Sequence, residues 1–93
     1  MIIYKITNLI NNKIYIGQTI RTLKRRWLAH CHIKSTTFYI GKAIQKYGMD
    51  NFKIEEIDKA SSQEELNDKE KYWINHYNST DSNIGYNLRE GGD

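Results

Sequence analysis

The chain has a single cysteine among its 93 residues, Cys31, so no internal disulfide can form, and no paired Cys/His spacing offers a zinc knuckle. A reducing compartment is therefore expected, and with it a soluble cytoplasmic protein. Nowhere do 18 apolar residues run together, and the stretch at 1–6 lacks both a leading basic segment and a small-residue cleavage site, so neither a membrane span nor a signal peptide is expected. Internal repeats, low-complexity tracts and domain linkers are missing as well. Residues 1–93 are expected to form one domain with room for one core and one site, since a chain of this length buries roughly 60 to 65 per cent of its unfolded surface.

The most informative absence is that of acid. Up to Met49 there are nine basic residues, Lys5, Lys13, Arg21, Lys24, Arg25, Arg26, Lys34, Lys42 and Lys46, and no Asp or Glu, a charge of +9. From Asp50 onward five basic residues face eleven acidic ones, a charge of −6, and the whole chain carries +3. Solvated surfaces usually intersperse the signs because that avoids self-repulsion. A segregated basic half favours an anionic partner, a phosphate backbone being the natural one, over chance clustering on a soluble surface, which charge alone leaves open.

Residues 2–7 and 13–18 are rich in Ile and Tyr and partly alternate with polar residues, with Asn8, Asn11 and Asn12 in the segment between. This pattern predicts a β-hairpin. Residues 21–33 predict a basic amphipathic helix, with Leu23 and Trp27 four apart and Arg25, Arg26 and His30 interleaved. Ser35, Thr36 and Thr37 are candidate N-caps for a second helix carrying Ile40, Ala43, Ile44 and Tyr47 on one face and ending at Gly48 in an αL cap. Residues 52–58 predict a third strand in which Ile57 breaks the alternation set by Phe52 and Ile54, as a bulge would. Ser62 and Glu65 make a capping box for a helix to about Tyr77, and the Gly-containing tail 83–93 is expected to be a surface loop. The order β-β-α-α-β-α predicts an α+β domain with a small, mostly antiparallel three-stranded sheet flanked by helices.

Glu70 stands out because it is four residues after Leu66 and three and four before Trp73 and Ile74, on the apolar face of its helix. An ionised carboxylate there is unfavourable by several kcal/mol unless a cation or strong donors meet it. Periodicity leaves three readings open, an ion pair with an arginine of the first helix, a carboxylate rotated to the edge of the stripe, and a metal ligand. One carboxylate plus waters and phosphate oxygens is the ordinary way to hold Mg²⁺. Arg21, Lys24, Arg25 and Arg26 are the candidate phosphate-binding residues, and guanidinium groups suit two phosphate oxygens at once, although solvated arginines beside Trp27 would look the same in sequence. His30 shares the face of Arg26 four residues on. For the hairpin, an odd index sum such as 19 places Tyr4 and Tyr15 on one face with Lys13 and leaves Ile3, Ile14 and Ile16 on the other, whereas an even sum separates the tyrosines. Alternation does not choose between them.

Taken together, Ile3-Tyr4, Tyr15-Ile16-Gly17 within NNKIYIG, Arg26-Trp27, His30, Glu70 and Gly85-Tyr86-Asn87 resemble the GIY-YIG nuclease superfamily, in particular the catalytic domains of phage and intron-encoded homing endonucleases. The resemblance spans nearly the whole chain. It departs at one place, where Ile2 stands for the first glycine of the first motif. The resemblance implies a Mg²⁺-dependent endonuclease that hydrolyses DNA phosphodiester bonds, with Mn²⁺ as a substitute, and a separate DNA-targeting domain or partner in any longer parent. It further implies that Glu70 is the single acidic metal ligand, Arg26 the contact to the scissile phosphate, and Tyr4, Tyr15, Lys13 and His30 the remaining catalytic positions. Asn87 would join Arg21, Lys24, Arg25 and Arg26 in DNA binding, and Gly17 and Gly85 would be structural. Either Tyr4 or a metal-bound water would take the nucleophile's proton, and a tyrosine of ordinary pKa, about 10, would need Lys13 or the metal beside it to do so near neutrality. A restriction or repair nuclease, a catalytically silent nucleic-acid-binding module, and RNA as substrate are the competing readings.

Overall fold

The computed structural model describes residues 1–31 and 39–88, with His30 described by its backbone alone. The Ile- and Tyr-rich segments form strands β1 (Ile2–Asn8) and β2 (Ile14–Thr19). Between them the asparagines set the turn, Asn12 in the left-handed region at φ 64° and the Asn8 and Asn11 side chains accepting from the backbone N–H groups of Ile10 and Lys13. Helix α1 covers Leu23–Cys31, shorter than the expected 21–33 at its start because Thr22 accepts from the Arg25 and Arg26 N–H groups and so caps it. Helix α2 covers Tyr39–Tyr47, and the expected caps at Ser35, Thr36 and Thr37 lie outside the described residues. Gly48 ends α2 with φ 87°, as expected of glycine, but its ψ of 140° is extended rather than αL, and the chain passes through a single 3₁₀ turn, Met49–Asn51, into strand β3 (Phe52–Lys59). Helix α3 (Gln63–Tyr77) starts at Ser62, whose hydroxyl accepts from the Glu65 N–H, and ends at Asn78 in αL. Half of the expected capping box is made, since the Glu65 carboxylate turns to Lys69.

The sheet has the order β2-β1-β3, antiparallel throughout, with β1 central. The hairpin register has an index sum of 21, opposing Tyr4 to Gly17 and Ile6 to Tyr15. An odd sum keeps both tyrosines on one face, but diagonally. Between β1 and β3 the register shifts at Ile3/Tyr4 so that Ile57 is the extra residue, the bulge its broken alternation predicted.

The two faces of the sheet bury different helices. Tyr4, Ile6 and Phe52 pack with Ile40, Ala43 and Ile44 of α2, with Leu23 and Trp27 of α1 against them. On the opposite face Ile3, Ile14 and Ile16 pack with Leu66 and Ile74 of α3. Among the described residues no helix is long and apolar enough to cross a membrane.

The tail departs from its expected form as a surface loop. Its described part runs along the outer edge of β2, with a parallel bridge between Ile14 and Gly85. A Cβ on Gly85 would lie 2.5 Å from the Ser79 carbonyl oxygen and 2.6 Å from that of Ile14, backbone atoms that cannot give way, so this edge requires glycine. Asn87 continues the pairing with its side chain, accepting from the Ile16 N–H at 2.9 Å and donating to the Ile16 carbonyl at 2.8 Å. An open β edge is thus closed by one buried amide. Asn87→Ala leaves both Ile16 groups unpaired and should destabilise the domain by about 2 kcal/mol. Thermal unfolding should show Tm falling by roughly 10 °C for a chain of this size.

Candidate active site

Tyr4 is fully buried, and the end of its ring lies across Gly17 on the neighbouring strand. A Cβ at Gly17 would come within 2.3 Å of both Cζ and the hydroxyl oxygen of Tyr4. Gly17 is therefore required for space rather than for backbone conformation, and it fixes where the Tyr4 hydroxyl sits. The rings of Tyr4 and Tyr15 are 6.3 Å apart and tilted by 41°.

Arg26 of α1 converges on these phenols, its Nε–H donating to the Tyr4 hydroxyl at 3.0 Å. Burial pushes Tyr4 well above the ordinary phenol range, and the neighbouring Tyr15 adds to the rise while Arg26 opposes it. Tyr15 is raised for the same main reason, burial, again opposed by Arg26. Both phenols are protonated at neutral pH. The cation acting on Tyr4 is Arg26 rather than Lys13.

Glu70 arrives from the other side of the sheet. It is 8% exposed, lying between Leu66 and Ile74 on the buried face of α3 as its spacing predicted. The Gln18 Nε2 donates to its Oε1 at 3.1 Å. Its negative charge raises both Tyr4 and Tyr15, so α1, the hairpin and α3 share one electrostatic centre. Gln18 also donates to the Asn67 Oδ1 at 2.9 Å, and Gln63 donates to both Gln18 and Asn67 at 2.8 Å. These amides hold Gln18 against the carboxylate. Composition and charge do not single out these three amides, although Gln63, Asn67 and Glu70 fall at i, i+4 and i+7 on α3 and Gln18 directly follows the YIG triplet.

A cleft of about 520 Å³ opens at the end of β2, lined by Gln18, Arg21, Arg25, Arg26, Gln63 and Asn67 among others. Three of the four predicted phosphate-binding residues thus share one wall. Lys24 is exposed on α1 outside this lining. Lys13 is elsewhere, with its ammonium 5.9 Å from the centre of the Tyr86 ring. Asn87 is held in the sheet edge by Ile16, which engages both polar ends of its amide, and it does not line the arginine cleft. The side chain of His30 lies outside the described residues.

The model of the family described as the GIY-YIG catalytic domain matches residues 1–87. The chain belongs to the GIY-YIG family. This GIY-YIG domain is 39% identical over 80 residues to the protein named "Putative endonuclease segD" of Enterobacteria phage T4, covering 80% of this chain and 31% of that protein. It is 34% identical over 89 residues to "Uncharacterized protein 019R" of Invertebrate iridescent virus 6, covering 91% of this chain and 32% of the other. The chain therefore spans about a third of the length of the curated relatives it matches. Among solved structures, the catalytic domain of intron endonuclease I-TevI in a glutamate-to-alanine mutant superposes with a TM-score of 0.73 at 26% identity, covering 96% of this chain and 93% of that one. A second structure, the catalytic domain of homing endonuclease I-TevI, shares the fold with a TM-score of 0.75 at 24% identity, covering 94% of this chain and 96% of that one.

Proposed function

We propose that this GIY-YIG domain is a Mg²⁺-dependent endonuclease that hydrolyses DNA phosphodiester bonds, the catalytic module of a homing or mobile-element endonuclease. The observation that carries the reading is the convergence of Arg26 on Tyr4 together with a buried Glu70 whose charge acts on the same phenols. A binding surface has no use for a buried carboxylate next to its phosphate contacts, whereas phosphoryl transfer does.

The residues fit a hard divalent cation that keeps most of its water. Among the described residues no three His, Cys, Asp or Glu converge, which argues against a cage built from protein alone. A single carboxylate with an amide beside it, facing a substrate rich in phosphate oxygens, suits Mg²⁺ or Mn²⁺. Glu70 would hold the ion, with Gln18 orienting the carboxylate. When bound, the ion supplies positive charge that polarises the phosphoryl group and stabilises the leaving oxygen.

The remaining steps belong to the chain's own side chains. Arg26, with Nε directed to Tyr4 and a further bond to Tyr15, has its remaining N–H donors to offer the scissile phosphate, where negative charge grows as water attacks. Arg21 and Arg25 line the same cleft and suit the flanking phosphates. Tyr4 and Tyr15, protonated at neutral pH, orient Arg26. For Tyr4 to accept a proton, positive charge beyond that of Arg26 must come close to it.

Supercoiled plasmid incubated with the protein tests this reading. Nicked and linear products are expected with Mg²⁺ or Mn²⁺ and none with EDTA. Gel-shifted but uncut plasmid across a series of divalent metals would instead establish a binding module.

A further inference from the structure

The basic half carries a second groove that the cleavage chemistry does not use. It has a volume of about 300 Å³ and is lined by Asn11, Lys13, Lys42, Lys46, Tyr47 and Tyr86 among others, none of them acidic. Lys42 and Lys46 project from one face of α2 at i and i+4, a spacing of like charges that an isolated helix disfavours. Among the described residues ion pairing does not relieve it. Among the described residues the salt bridges engage Lys5, Lys53, Lys59 and Lys69, with acids drawn from Glu55, Glu56, Asp58 and Glu65, and none engages Lys13, Lys42 or Lys46. Concentrated, unneutralised charge along a groove calls for an anion.

We infer that this groove binds backbone phosphates of double-stranded DNA flanking the cut, as a second anchor for the substrate held in the arginine cleft. The inference rests on the nuclease reading. The two grooves lie at opposite ends of β2, Lys13 just before it and Gln18 near its close, with Tyr15 between. Five residues of extended strand span roughly 17 Å. That distance corresponds to about five base pairs of rise along the duplex axis, at 3.4 Å each. Duplex fits better than single-stranded DNA because two of the three tyrosine rings lining the groove, Tyr47 and Tyr86, already carry cations, and the exposed Tyr39 alone is no continuous stacking platform. Lys46 lies 5.3 Å from the centre of the Tyr47 ring and Lys13 lies 5.9 Å from that of Tyr86, so the groove offers mainly ammonium groups rather than a run of open ring faces for stacking. The Tyr86 hydroxyl accepts from the Asn8 and Asn11 amides, which fixes the wall on which Lys13 rests.

Fluorescence anisotropy with a labelled 20-base-pair duplex in EDTA, over a NaCl series, tests the inference. The double substitution Lys42→Ala with Lys46→Ala should weaken binding about tenfold at moderate salt, and should flatten the slope of log affinity against log salt by about two, close to 0.9 for each lost phosphate contact. Lys42→Arg with Lys46→Arg should restore both quantities, and the thermal melts of the variants separate this effect from misfolding. Wild-type affinity and slope in the alanine pair would overturn the inference, as would an arginine pair as impaired as the alanine pair. If the wild type nicks plasmid while the alanine pair binds normally, the second anchor fails and the nuclease reading stands. If the wild type shows no salt-dependent binding at all, both fall.

Discussion

Glu70→Gln should lower the rate of plasmid nicking by about a thousandfold while leaving Tm equal to that of the wild type or above it. The activity loss follows from removing the carboxylate proposed to hold a cation beside the scissile phosphate, where lost transition-state charge stabilisation of about 4 kcal/mol corresponds to that factor. The stability outcome follows from burial. Glu70 is 8% exposed beneath Gln18 on the inward face of α3, and an ionised group there must be desolvated, a penalty of several kcal/mol that a neutral amide of the same shape avoids in large part. Gln at this position keeps an oxygen to accept from Gln18, so the amide network with Gln63 and Asn67 can persist. A purely structural Glu70 predicts the reverse pattern, a fall in Tm with nicking reduced only in proportion to unfolded protein. Measuring rate and Tm on the same preparation separates the two.

Arg26→Lys should reduce kcat by about a hundredfold with a much smaller change in DNA affinity. The positive charge is retained, so the long-range attraction that dominates binding is largely unchanged. What is lost is geometry. Arg26 bonds the Tyr4 hydroxyl through Nε at 3.0 Å and also bonds Tyr15, and its five-donor fork still leaves N–H groups for a phosphate, whereas an ammonium is a point charge that must choose among these partners. Loss of one preorganised donor to the developing charge is typically worth about 10² to 10³ in kcat. Single-turnover cleavage at saturating DNA measures this term directly. A fall in affinity with the saturating rate unchanged would show that Arg26 serves binding alone.

Much of this arrangement was legible in the sequence. Two-residue and 3.6-residue periodicities found all three strands and all three helices, because each element buries one face against the sheet or against a helix. The single irregular residue in β3, Ile57, marked its bulge. Glu70 was placed correctly because its neighbours on α3 define the inward face without reference to the rest of the fold. Other features depend on contacts between distant segments and left no local trace. A period of two cannot separate an index sum of 19 from one of 21, so the opposition of Tyr4 and Gly17 emerged only from the paired strands. Asn87 meets Ile16 across 71 residues, and a terminal Gly-Tyr-Asn reads the same whether it closes a sheet edge or lies loose on the surface. Lys13 shares the face of the tyrosines, yet its position at the start of β2 carries it to the lysine groove. The polar partners of Glu70 were missed for a related reason: Gln63 and Asn67 have the right helical spacing, but Gln18, which joins them to the carboxylate, lies on a strand 45 or more residues away.

The central claim is that the basic half supplies the phosphate contacts, the acidic half supplies the metal ligand, and the catalytic centre is where they meet. Mn²⁺ binding, followed by electron paramagnetic resonance of the free ion in the presence of wild-type protein, Glu70→Gln and uncut duplex, tests it most directly. One ion should bind per wild-type domain in the presence of DNA, with Glu70→Gln weakening that binding at least a hundredfold while duplex affinity is retained. Undiminished Mn²⁺ binding by Glu70→Gln would contradict the account.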